Sequence, residues 1–120
     1  MSSLMRVNLL TLAWLALMSV APFASASAAV QCPSVAGGRQ LRMIGGGSLY
    51  LGNLADNMVQ APDGTERGPN GSVTTWRFRS GEDLKLVCRY DGTQDAVVLP
   101  LTREMKICRQ EARIRSFVCQ

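Results

Sequence analysis

Four cysteines, Cys32, Cys88, Cys108 and Cys119, are the residues of this 120-residue chain best equipped for chemistry, and their spacing decides which chemistry. Thiolates hold zinc where four ligands gather, often as close Cys-x-x-Cys pairs or beside histidine. Here the gaps are wide and the chain has no histidine, so no metal site is expected. An even number of cysteines in a small exported domain points instead to disulfides. Four cysteines permit three pairings, and the preferred one joins Cys32 to Cys88 and Cys108 to Cys119. The chain-entropy model assigns about 4 kcal/mol to the longer closure and about 3 kcal/mol to the shorter.

The other reactive types do not assemble into a catalytic set. Without histidine there is no usual base for a serine or cysteine nucleophile and no commonplace acid near neutral pH. Glu82, Asp83, Asp91, Asp95, Glu104 and Glu111 are available as carboxylates for a glycosidase pair. They fall in turns or beside basic residues, where solvated surface charge is the simpler account. No catalytic residue, no cofactor and no enzymatic activity are expected.

The compartment follows from the start of the chain. Met1 to Arg6 is short and weakly basic, Val7 to Val20 is an apolar run, and Pro22 breaks it ahead of Ala24-Ser25-Ala26-Ser27-Ala28-Ala29. This is the layout of a secretory signal with Ala-x-Ala cleavage sites. The run is shorter than the roughly 20 residues a membrane span needs, and no basic cluster anchors its far side. Residues 1–28 are expected to be the signal peptide, a helix removed on export, and residues 29–120 one domain. Cys32 follows Val30-Gln31 rather than a small residue, which does not suit a lipoprotein. Loss of Arg6 lowers the formal charge of +4 by one, too mild a balance to imply nucleic acid. The excess of cations lies from Trp76 onward.

Elements to position these residues are mostly strands. Arg39 to Ile44 alternates polar and apolar before Gly45-Gly46-Gly47, and Ser48 to Gly52 is a second short run. Ala61 to Gly71 (APDGTERGPNG) carries two turn-forming clusters and is expected to be the longest loop, a candidate recognition element. In Val73 to Arg79, Trp76 and Phe78 share a face opposite Arg77 and Arg79; in Leu84 to Tyr90, Leu84, Leu86, Cys88 and Tyr90 oppose Lys85 and Arg89. Ala96 to Leu101 is the partner strand, with Pro100 marking a sheet edge. Thr102 to Arg113 fits a helix capped by Thr102, but the strand-favouring residues near Cys108 and Cys119 favour a hairpin centred near Arg113-Ile114. The expected fold is mainly β: a small antiparallel sheet, sandwich or partly open barrel, stapled by two disulfides. The two best strands are expected to be adjacent, so that their exposed faces carry Arg77, Arg79, Lys85 and Arg89 as one cationic face able to meet an acidic partner.

Cys32-Pro33, Trp76, Val87-Cys88-Arg89-Tyr90, Pro100-Leu101, Cys108 and Phe117-Val118-Cys119, in that order, resemble a family of small uncharacterised secreted proteins of Gram-negative bacteria. Some members are encoded near type VI secretion genes, which implies immunity to a periplasmic effector. The chain is also loosely similar to periplasmic lysozyme inhibitors, small disulfide-bonded β-barrels with a Cys-x-Tyr-like strand. It does not match their inhibitory loop, so no inhibitory residue carries over. The resulting expectation is a periplasmic protein-binding module, an inhibitor or immunity-type protein acting on a cell-wall hydrolase or toxin. The alternative is an envelope-surface factor whose basic face holds anionic cell-wall polymers.

Overall fold

Alternation along Leu84–Arg89 sets the architecture, because Leu84, Leu86 and Cys88 are buried on one side of the strand while Lys85 and Arg89 reach solvent on the other. The computed structural model describes residues 29–42 and 44–120, and the expected leader, residues 1–28, lies outside them. In chain order the strands are β1 (Val30–Gln31), β2 (Val35–Ala36), β3 (Arg39–Gln40), β4 (Gly47–Leu51), β5 (Gly64–Gly68) and β6 (Gly71–Arg77). They continue with β7 (Leu84–Arg89), β8 (Ala96–Pro100), β9 (Ile107–Glu111) and β10 (Ser116–Cys119). A 3-10 turn at Leu54–Asp56 separates β4 from β5.

These strands form two antiparallel sheets and a hairpin. One sheet has the order β1-β10-β9-β6-β5, the other β4-β7-β8, and β2 pairs with β3. The second sheet is widened at both ends of β4. Residues 58–60 pair along its free edge, with Tyr50 opposite Val59. The β2–β3 hairpin joins beyond β7 through the bridge of Leu41 to Tyr90.

The inner faces bury one common core. Leu41, Leu49, Leu84, Leu86 and Tyr90 come from the smaller sheet and its extension, Trp76 and Phe117 from the larger, and Leu101 and Met105 close the gap between them. The Trp76 and Phe117 rings lie 4.9 Å apart, and the indole N–H donates to the Gln60 carbonyl at 3.1 Å. Gly47 lets the sheets approach: a Cβ there would stand 2.5 Å from Cδ2 of Phe117.

Both disulfides form as expected. Cys32–Cys88, with Cα atoms 5.8 Å apart, ties the β1 end of the larger sheet to β7 of the smaller. Cys108–Cys119 crosses adjacent strands with Cα atoms 4.0 Å apart. Ile107 and Gln120 exchange both backbone hydrogen bonds, so the next pair along, Cys108 and Cys119, is the non-hydrogen-bonded kind whose side chains come closest. The tail is thus the β9–β10 hairpin with its turn at residues 112–115, and the helical alternative for Thr102 to Arg113 is not adopted. Pro100 ends β8, an edge strand, as its missing donor requires.

Two expectations are corrected. Residues 61–71 are not a long loop, because Gly64–Gly68 is an edge strand on β6 with Pro69-Asn70 as its turn. Its side chains are polar on both faces, so no alternation advertised it. The strand expected over Arg39 to Ile44 stops at Gln40, with Leu41 bridging to Tyr90 before the chain leaves the ladder.

Candidate functional site

β6 and β7 are consecutive but belong to different sheets, so the four expected cations do not share a face. Arg77 ends β6 on the outer side of the five-stranded sheet, and Arg79 lies exposed two residues further on. Arg77 lines a shallow groove of about 370 Å³ with Glu66, Thr75 and Arg109, where charges of both signs alternate. Its backbone N–H donates to the Asp63 carboxylate at 2.5 Å. Lys85 and Arg89 stand apart from this pair, on the outer face of the β4–β7–β8 sheet.

That second face has the chemistry of a docking surface. Tyr50 from β4, Val87 from β7 and Ala96 and Val98 from β8 project outward across three strands, and Val59 continues the row beyond Tyr50. Leu54, at the start of the 3-10 turn, leans over the same depression of about 290 Å³. Asn57, in the left-handed region at φ 53°, closes that turn by donating its N–H to the Leu54 carbonyl. Val98, Val59 and Leu54 are 41%, 52% and 38% exposed, whereas Val87 at their centre is only 4% exposed. An outward-facing side chain dried by its neighbours is a floor, and the half-exposed apolar residues around it are walls. Monomeric proteins seldom leave such side chains clustered unless a partner covers them.

The two cations are fixed at the borders of this face. Arg89 donates from Nη2 to the Tyr50 hydroxyl at 3.2 Å, holding the ring across the sheet. Lys85 donates to the Gly52 carbonyl at 2.5 Å and lies 3.6 Å from Asp83. An apolar centre, one aromatic ring and a rim of cations is the composition of protein–protein interfaces. Sequence reasoning found the cations but missed the apolar centre. The signal was present in Ala96 to Leu101, where apolar residues fall on both faces of an edge strand that needs only one.

The buried Tyr90 serves position rather than chemistry. Its hydroxyl donates to the Pro33 carbonyl at 2.7 Å, and burial pushes the phenol above its ordinary 10.0. It clamps the segment after Cys32 onto the end of β7, beside the disulfide to Cys88.

Among known proteins, the family described as the type VI secretion system Tli immunity protein matches residues 39–120. Neither a curated protein nor a solved structure matches the chain. The matched span runs from β3 to the last residue and so includes the β4–β7–β8 sheet and three of the four cysteines. The chain belongs to the Tli immunity proteins of the type VI secretion system.

Proposed function

We propose that the chain is exported to the periplasm and there seats an incoming type VI effector on the outer face of its β4–β7–β8 sheet, blocking the toxin without catalysing a reaction itself. The observation that carries this is the cluster of Tyr50, Leu54, Val59 and Val98 around a buried Val87, with Lys85 and Arg89 at its borders. A sheet stapled to its neighbour by Cys32–Cys88 presents this face already ordered, so little conformational entropy is lost on association. The signal-like start supports export, and two disulfides suit an oxidising compartment. The effector is expected to be a hydrolase of the cell wall or another toxin of the same compartment.

The test produces each type VI effector of the source genome in the periplasm of a sensitive cell, with and without the full-length chain. One effector should be neutralised, and the purified pair should form a complex that survives moderate salt. A chain lacking residues 1–28 should not protect. Release of muropeptides against release of lipid in unprotected cells separates a wall hydrolase from other toxins. If no effector is neutralised and the protein instead adheres to anionic wall polymers in a salt-sensitive way, the envelope-surface reading replaces this one.

A further inference from the structure

The seam where the β2–β3 hairpin meets β4 holds a protrusion that the core does not explain. The chain leaves β7 after Leu41 and returns at Gly47, and both limbs of this excursion are closed on one residue: Arg42 N–H donates to the Arg89 carbonyl at 3.2 Å, and Arg89 N–H donates to the Gly46 carbonyl at 2.9 Å. Gly46 is packed against the Arg42 carbonyl so tightly that no Cβ fits, and Gly45 sits at φ +64°. The neck is therefore pinched by a backbone clamp that only glycines allow.

At the tip stands Ile44, 93% exposed, more than any other large apolar side chain among the described residues. It is not buried against the protein: the hollow beside it, lined by Ser72, Thr74, Gln110 and Ala112, leaves the isoleucine side chain almost wholly in solvent. Ile114, 50% exposed in the β9–β10 turn, presents a second apolar side chain in the turn that follows Ala112, itself a wall of that hollow. The surrounding charge is cationic. Arg42 and Arg115 both approach the Asp91 carboxylate, at 4.0 and 3.9 Å, while Arg39 donates to the adjoining Gly92 carbonyl, so two guanidinium groups share one carboxylate and a third lies beside them.

We infer that the turn bearing Ile44 and Gly45 is inserted into the effector, the Ile44 side chain filling a concave apolar pocket whose rim is acidic. This rests on the effector-binding reading above and deepens it. Arg89 makes the two surfaces continuous, since its side chain borders the docking face while its backbone clamps the loop. The apolar tip selects an apolar pocket, and the arginines around its base select carboxylates at the pocket mouth. A flat anionic polymer offers no such cavity.

The experiment uses the effector that the full chain neutralises, with the purified protein and its Ile44→Asp and Ile44→Leu variants. Loss of a fully buried isoleucine contact together with an introduced repulsive charge predicts binding weaker by about 30-fold or more for Ile44→Asp, with protection lost in cells. Ile44→Leu should stay within about threefold, and the association rate should fall several-fold as salt rises. Because the side chain touches little of its own fold, both variants should unfold at the parent's midpoint. Binding of Ile44→Asp within about twofold of the parent overturns the inference while leaving the docking face standing. Failure of the parent itself to bind any effector removes both.

Discussion

Cys32–Cys88 closes a loop with a sequence separation of 56 residues that contains β2 through β6, whereas Cys108–Cys119 closes one of 11 within a single hairpin. Opening the first frees most of the unfolded chain; opening the second frees only a turn. Chain entropy puts the two at about 4 and 3 kcal/mol at 25 °C. The difference should widen in practice, because the hairpin strands stay paired through backbone hydrogen bonds on both sides of Cys108 and Cys119. The Cys32→Ala/Cys88→Ala variant should therefore lose about 4 kcal/mol, near the whole stability of ~5 kcal/mol expected of so small a domain. The Cys108→Ala/Cys119→Ala variant should remain folded. Urea titration of the leaderless protein gives the readout, with Trp76, buried 4.9 Å from Phe117, as the only indole. The m-value should rise more for the first variant, since an uncrosslinked unfolded chain exposes more surface. Equal losses, or a larger one for Cys108–Cys119, would refute the loop-length reasoning and make core packing around the sulfurs the governing cost.

Gly47→Ala places a methyl 2.5 Å from the fully buried Phe117 ring and should cost about 1–3 kcal/mol in denaturant melts, as overpacking does. Tyr90→Phe strands the Pro33 carbonyl and should cost about 1–3 kcal/mol. It should also remove an alkaline transition: the fold keeps the phenol neutral, so its contribution is complete below pH 10.0 and disappears as pH climbs through the raised folded value, a slope that stability–pH profiles of parent and variant will reveal. Val98→Asp, on the docking face, should leave the unfolding midpoint within about 0.5 kcal/mol of the parent yet weaken effector binding by at least about tenfold, measured by titration calorimetry.

Much of this was legible from residue order. The cysteine count and the expected hairpin pointed to both disulfides, since Cys108 and Cys119 flank a turn and leave Cys32 and Cys88 for each other. Alternation at Leu84 to Tyr90 named the buried side of β7 correctly, and Pro100 named the edge. What alternation does not carry is sheet membership. Two sheets that share a core both point their apolar side chains inward, so Trp76 on β6 and Leu86 on β7 show the same pattern whether the strands pair or face one another. The expected single cationic face failed on that point alone. β5 was missed for a different reason: Thr65, Glu66 and Arg67 are all exposed, so the strand is held by its ladder to β6 rather than by burial, and only the spacing of Gly68 and Gly71 around Pro69-Asn70 hinted at a hairpin.

Arg89 joins the local and the functional levels of this structure. Its place in β7 follows from alternation beside Cys88, which is committed inward to the disulfide, so the guanidinium must point out. Once outward, it reaches the Tyr50 hydroxyl and steadies the ring beside Val87 on the proposed docking face, while its main-chain N–H and C=O, left over where β4 ends, are taken up by the neck of the Ile44 loop. Backbone donors and acceptors at a strand end need partners, and Arg42 and Gly46 supply both of those at Arg89. Covalent closure of Cys32–Cys88 therefore organises, one residue away, both surfaces assigned to the effector, and a reducing compartment would loosen them together. Protection should accordingly depend on export, which the signal-like start of the sequence would supply, as much as on the residues of the two surfaces.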